Sequence, residues 1–203
     1  MPPKSKFTKE EIIAAALQIA SESGIEAVTA RSVGERLGSS ARPVFTVFKN
    51  MEEVIDGVKN AAKKLYNKYI QEGLTEEIRF KGVGKAYIRF AAEQPKLFQM
   101  LFMSDLPVNT ALNTLPVIDD NYDDIVTSIT EQYGLDKDST LSIYSQLWIY
   151  THGIASLLAT KTLMFKPEEI SERMTDIFVA LLTKRKKEIA EASQKGKIKN
   201  DQA

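Results

Sequence analysis

The sequence predicts an all-α protein, an N-terminal three-helix domain followed by a longer helical bundle, with about nine helices in total. Three observations carry this expectation. Apolar residues recur at helical spacing along most of the chain, and no stretch alternates with period two. Capping residues stand before the apolar runs, and Gly or Pro closes them. The 203 residues are 43% hydrophobic and 27% charged, a globular composition that excludes a fibre or a disordered chain.

The elements follow in order. Thr8 with Glu11 forms a capping box, Phe7 can staple onto Ile12, and Ile12, Ile13, Ala16, Leu17 and Ala20 make one face of a helix stopped by Gly24. Thr29 caps a short second helix with Val33 and Leu37 inward and Gly38 at its end. Ser39 or Ser40 caps a third, with Pro43 in its first turn and Val44 and Phe48 inward. Asn50 and Glu53 open a long fourth helix whose stripe is Val54, Val58, Ala61, Leu65 and Tyr69, ending at Gly73.

Beyond it, Thr75 to Gln94 reads as helix five and Pro95 starts a compact sixth. Ser104 to Pro116 reads as a loop, and Asp119 or Asp120 opens helix seven, which Gly134 ends. Helix eight runs from Ser139 to about Phe165, and Pro167 begins helix nine with the stripe Ile170, Met174, Ile177, Phe178 and Leu181. From Lys184 apolar content collapses, and the helix is expected to fray. The expected division is 1–50, 51–190 and a basic mobile tail, 191–203.

Composition narrows the chemistry. There is no Cys, which excludes thiolate nucleophiles, cysteine zinc sites and disulfides, and a single His, His152, excludes chemistry needing two imidazoles on one chain. Neither a secretory signal nor a run of 18 apolar residues is visible, so a cytoplasmic protein with no membrane partner is expected. Lys plus Arg and Asp plus Glu both number 27, so any DNA contact must come from local charge. Gly82-Val83-Gly84-Lys85 fails as a phosphate loop, because Arg79 and Ala86 stand where Gly and Ser or Thr are needed. The acids Asp119, Asp120, Asp123 and Asp124 lack the Gly and distal Glu of a calcium loop and read as helix-start residues. With no hydrolase motif either, no catalytic residue, metal site or cofactor is expected.

The order helix, Gly-containing turn, short helix over Thr29 to Phe48 fits a helix-turn-helix, although spacing alone favours a packed helical hairpin. The residues are more specific. Phe7 to Val54, with the capped first helix, the Thr29 cap, Val33, Leu37 and Gly38, Pro43-Val44-Phe45 and Phe48-Lys49-Asn50, resembles the N-terminal domain of TetR-type transcriptional repressors. The resemblance implies a C-terminal region that binds a small molecule and dimerises. Trp148 to Gly153, with Trp148 and His152-Gly153, looks like a signature of one branch of these repressors on helix eight.

The physical reading of the third helix agrees. With Val44 and Phe48 inward, Ala41, Arg42, Pro43, Phe45 and Thr46 are left to face a major groove. Arg42 can fork onto a guanine, while Ala41, Pro43 and the Thr46 methyl can pack on thymine methyls. Thr29 and Ser40, as caps, are expected to hold phosphates. The resemblance adds a base contact from Arg31. The chain also departs from the family: Phe45 replaces a usual Tyr, Val47 a His or Tyr, and Met51 a phosphate-pairing Lys. Lys49, with Lys4, Lys6 and Lys9, can compensate. Residues 1–50 hold four Lys and three Arg against five Glu, which predicts a shallow salt dependence of DNA binding.

Single aromatic and Met residues beyond helix four are ordinary core material. The resemblance makes some of them line an effector cavity, with Tyr87, Phe90, Phe98, Phe102, Tyr122, Tyr144, Trp148 and His152 as candidates and Gln146 as a further polar group. Helices eight and nine are apolar on more than one face, which fits a homodimer built through both. Two recognition helices about 34 to 36 Å apart would read a palindromic double-stranded DNA operator. The implied function is a regulator, a repressor released from its operator by a small apolar or amphipathic effector that shifts helix four. The alternative is a helical small-molecule-binding or protein-interaction module with weak or no DNA binding.

Overall fold

A computed structural model describes residues 6–103 and 121–200. Among them are nine α-helices and no strand: α1 (Lys9–Ser23), α2 (Ala30–Arg36), α3 (Val44–Val47), α4 (Met51–Leu74), α5 (Arg79–Glu93), α6 (Pro95–Phe102), α7 (Tyr122–Tyr133), α8 (Lys137–Ala159) and α9 (Pro167–Asn200). The Ser104–Pro116 loop and the helix-opening roles of Asp119 and Asp120 lie outside the described residues.

Local chemistry sets the helix starts. Thr8 Oγ1 accepts from Glu11 N at 3.1 Å while Thr8 N donates to Glu11 Oε2 at 2.8 Å, so two otherwise orphaned donors are satisfied reciprocally. Asn50 Oδ1 accepts from Glu53 N at 3.0 Å to start α4, and Asp136 accepts from Ser139 N at 2.9 Å to start α8. Pro95 occupies the first turn of α6, where a missing N–H is harmless.

The helix α4 is the spine. Its buried stripe is Val54, Val58, Ala62, Tyr66 and Ile70, spaced by four throughout. The expected stripe ran through Ala61, Leu65 and Tyr69, which are instead half-buried on the flank of the core. The reason is the neighbour: α5 packs along α4 more extensively than any other helix pair, and an i, i+4 ridge follows that contact. Near its end, α4 meets α5 backbone to backbone, since a Cβ on Gly82 would lie 2.1 Å from the Gly73 carbonyl oxygen. At the other end α4 packs on α1, so it touches both the N-terminal helices and the bundle.

Three further boundaries differ from expectation. α5 starts at Arg79 rather than Thr75, because the Thr75 hydroxyl donates to Glu72 O at 2.7 Å and finishes α4 instead. α8 ends at Ala159 rather than near Phe165. There Lys161 takes the left-handed conformation (φ 56°), and the N–H groups of Lys161 and Thr162 bond back to Leu158 O and Leu157 O at 2.9 Å each. α9 does not fray at Lys184 and is helical to Asn200. Lys184, Arg185 and Lys187 pair with Glu188 or Glu191 at i, i+3 and i, i+4 spacing, and such pairs support a polar helix where apolar packing fades.

Candidate nucleic-acid interface and ligand cavities

The helix-turn-helix is built on two glycines. Gly38 has φ 63°, a left-handed residue that closes α2 and turns the chain. Gly34 is needed for a different reason: a Cβ there would sit 2.5 Å from the Ser40 carbonyl oxygen, so the turn can cross α2 only over a bare Cα. Ser39 N bonds Gly34 O at 2.8 Å across this crossing. Gly38 was legible as a stop signal. Gly34 was missed, although a glycine inside a seven-residue helix is itself a signal of close approach.

Val33 and Val44 are fully buried and Phe48 is 2% exposed, so these three pin α2 and α3 to the core. With that face committed, Thr29, Arg31, Ser40, Arg42, Phe45, Thr46 and Lys49 are exposed and Ala41 and Pro43 half-buried. Phe45 is 52% exposed, a large apolar ring held in water. None of the nine candidate residues is sealed inside the fold. Arg42 enters no ion pair with a described residue.

Their hydrogen bonds correct one expected cap and bear out another. Ser40 caps nothing: the residue before α3 is Pro43 in helical conformation, and Val44 N is already satisfied by Ala41 O at 3.1 Å. Thr29 does cap α2, but its hydroxyl accepts from Ser32 N and contacts Ser32 Oγ, both at 3.1 Å. Arg31 pairs with Glu35 at 2.8 Å, an exposed i, i+4 pair that a phosphate can displace at little cost. Lys49 stands 3.9 Å from Glu53, and the Lys9 ammonium lies over the Phe48 ring at 5.3 Å. Lys4 lies outside the described residues.

The candidate effector residues fall into two groups. Tyr87, Phe90, Phe98, Phe102, Trp148 and His152 form one aromatic cluster with Tyr66, whose ring lies 4.9 Å from Phe102 and 5.5 Å from Phe90. His152 stacks on Trp148 (5.0 Å, 5° between planes) and its Nδ1 lies 2.9 Å from Tyr87 Oη. Burial holds the His152 imidazole below its ordinary pKa, so the ring is neutral at pH 7. Tyr122 and Tyr144 make a separate edge-to-face pair at 5.3 Å. Gln146 is exposed and folds back to Ser142 O, away from the cluster. Tyr66 was missed because the α4 stripe was placed one residue early.

Little space remains among these rings. The cavity lined by Tyr87, Tyr144, Trp148 and Met174 measures about 40 Å³, enough for a water and far below a drug-sized pocket. A larger concavity of about 1090 Å³ opens elsewhere, between the end of α4, α5 and the start of α9. No single segment announces it, because the α4–α5 junction and the distant start of α9 together supply its walls.

Comparison with known proteins adds the family. The model described as bacterial regulatory proteins, tetR family, matches residues 12–58, and the model described as tetracyclin repressor-like, C-terminal domain, matches residues 80–179. The chain belongs to the TetR family of transcriptional regulators. As a TetR-family chain it is a DNA-binding transcriptional regulator, in a family whose members bind small-molecule effectors and form dimers and whose fold is normally non-enzymatic. A solved TetR-like transcriptional regulator from Rhodococcus sp. RHA1 superimposes with a TM-score of 0.60 over 90% of this chain and 99% of its own, at 8% identity. That likeness establishes the shared fold. No curated protein matches the sequence. Among the described residues of this TetR chain, no helix is long and apolar enough to cross a membrane.

Proposed function

We propose that this TetR-family chain is a repressor that binds a palindromic operator as a homodimer and is released by a small apolar or amphipathic effector. The observation that carries the reading is the division of residues 42–48, around the short α3, between buried Val44 and Phe48 and exposed Arg42, Phe45 and Thr46. Arg42 forks onto guanine O6 and N7. Ala41, Pro43, Phe45 and the Thr46 methyl pack on thymine methyls and sugar, while Thr29, Arg31, Ser40 and Lys49 contact the backbone or a flanking base.

The homodimer forms through α8 and α9. Supporting it, α8 carries a seam of Ile149, Tyr150, Gly153 and Leu157 with Ile149 51% exposed, and Gly153 faces open space. The effector is taken among Tyr87, Phe90, Phe98, Phe102, Tyr122, Tyr144, Trp148 and His152. Their close packing means the rings must part to admit it, and that motion is passed to α4 through Tyr66. Trp148 and His152-Gly153 support assigning the chain to the branch that bears such a motif on helix eight.

Gel-shift titration with the DNA flanking the protein's own coding region tests the reading. Sequence-specific retention supports it. No retention at low salt supports a helical binding module without DNA affinity, the reading favoured by the lost polar groups at Phe45, Val47 and Met51.

A further inference from the structure

We propose that the groove between α4, α5 and α9 is a binding site for an amphipathic organic cation, a compact molecule with an aromatic or alkyl body and a permanent positive charge. It measures about 1090 Å³ and is separate from the aromatic cluster, sharing no lining residue with the small cavity there.

Its floor is apolar: Ala86, Ile88, Leu158, Met164, Phe165 and Ile170 contribute to it, and Met164 is 80% exposed. Water against such a floor is readily displaced by an apolar body. Its rim is acidic. Six carboxylates line the groove against two cations, Lys85 and Arg89. Both cations are already neutralised within it, Lys85 by Glu76 at 2.9 Å and Arg89 by Glu72. That leaves Glu93, which accepts from the Tyr69 hydroxyl at 2.7 Å, and Glu168, Glu172 and Asp176, none of them in an ion pair among the described residues.

Two further cations stand at the edge without closing the site. Arg173 lies over one face of Phe165 at 5.6 Å, and Lys81 donates to Thr175 at 3.0 Å. The Phe165 contact shows what this ring attracts. Excess carboxylate over an apolar, partly aromatic floor attracts a cation with an apolar body and repels an anion of the same shape. The site also has a mechanical position: Gly73 and Gly82, where α4 and α5 touch backbone to backbone, both line the groove, and both ion pairs join the α5 wall to the end of α4 or the turn after it. A bound cation competes with Arg89 and Lys85 for Glu72 and Glu76. Binding in this groove is independent of the proposed effector site, and only its consequence for operator release rests on the proposed function, since binding is measured without DNA.

Tetraphenylphosphonium and tetraphenylborate have the same shape and opposite charge. Calorimetric titration of the full chain is expected to show the phosphonium binding at least tenfold tighter. Glu172→Gln with Asp176→Asn, both exposed, should weaken it roughly tenfold, Ala92→Trp should block it, and Tyr87→Phe should leave it unchanged. Equal affinity for the two ions, or insensitivity to the groove variants, overturns the proposal. So does loss of binding in Tyr87→Phe with none in Glu172→Gln/Asp176→Asn, which would put the probe in the aromatic cluster. Blockage of the groove by a second copy, seen as phosphonium binding that vanishes as protein concentration rises, overturns it too.

Discussion

His152 Nδ1 lies 2.9 Å from Tyr87 Oη while the same ring stacks on Trp148, so one imidazole joins α5 to a π-surface on α8. Because burial disfavours its charged form, the native protein binds a proton at His152 less readily than the unfolded chain does. Its contribution to stability is therefore present above the unfolded pKa and is lost as pH falls through the lowered native one. Trp148 is the only Trp, which makes the event visible. Tryptophan fluorescence should be quenched as pH drops below about 6.5, and His152→Gln should flatten that titration. An unchanged titration in the variant would dissociate the signal from the stack.

Arg42, two residues before α3, is a long cation that no described carboxylate holds. Arg42→Ala should cost about 1–3 kcal/mol of discrimination for each guanine it reads. Specific operator affinity should fall roughly tenfold or more, while affinity for random DNA changes little. As a backbone contact, Arg31 should show the other pattern, with Arg31→Ala weakening both to a similar, smaller extent, whereas selective loss would make it the base contact that the family resemblance implies. Competition gel shifts separate the two patterns, and uniform loss in Arg42→Ala would remove it from base readout.

The legible parts of this fold are those governed by local chemistry. The capping boxes at Thr8 and Thr29, the Asn50 cap and the Pro95 and Pro167 starts are interactions within three or four residues, so the pattern contains them. The exposed candidates Arg42, Phe45 and Thr46 were legible for a related reason, since assigning Val44 and Phe48 to the core leaves one face. What was missed depends on contacts between distant segments. The α4 stripe is set by α5, and the end of α8 by a left-handed Lys161 that no composition rule favours. α9 continues because Lys and Glu are good helix formers even where apolar residues thin out.

Charge near the recognition helix is sparse. Residues 1–50 hold seven cations against five Glu, and Arg31, Arg36, Lys49 and Lys9 already face a carboxylate or a ring. Few phosphates can be neutralised, so the log–log dependence of operator affinity on salt should have a magnitude well below about 10. Titrations between 50 and 200 mM salt, round values in the range where about 6–10 phosphate contacts give a large loss, measure it directly. A slope near that of a many-contact repressor would require cations that this surface lacks.

Ile149 is an exposed branched residue on α8, one turn from the open Gly153. If α8 and α9 form the two-fold interface, Ile149→Glu places two buried like charges beside the axis. Sedimentation should show the wild type as a dimer at micromolar concentration and the variant as a monomer with unchanged helical content. Operator affinity should then drop steeply, since each half-site is bound alone. A variant that stays dimeric would move the interface elsewhere on the molecule.

Gly34 and Gly38 separate two ways in which a turn can need glycine. Gly38→Ala meets nothing within 4 Å and suffers only its positive φ, so it should cost about 1 kcal/mol and leave DNA binding measurable. Gly34→Ala drives a methyl to 2.5 Å from the Ser40 carbonyl, and backbone there cannot turn aside as a side chain can. Either α2 or the segment carrying Arg42 must move. Gly34→Ala should therefore lose operator binding while α4 to α9, far from the clash, keep their cooperative thermal transition. Near-normal DNA affinity in Gly34→Ala would mean that the crossing of α2 by the turn does not set the position of α3, and the contrast with Gly38→Ala would disappear.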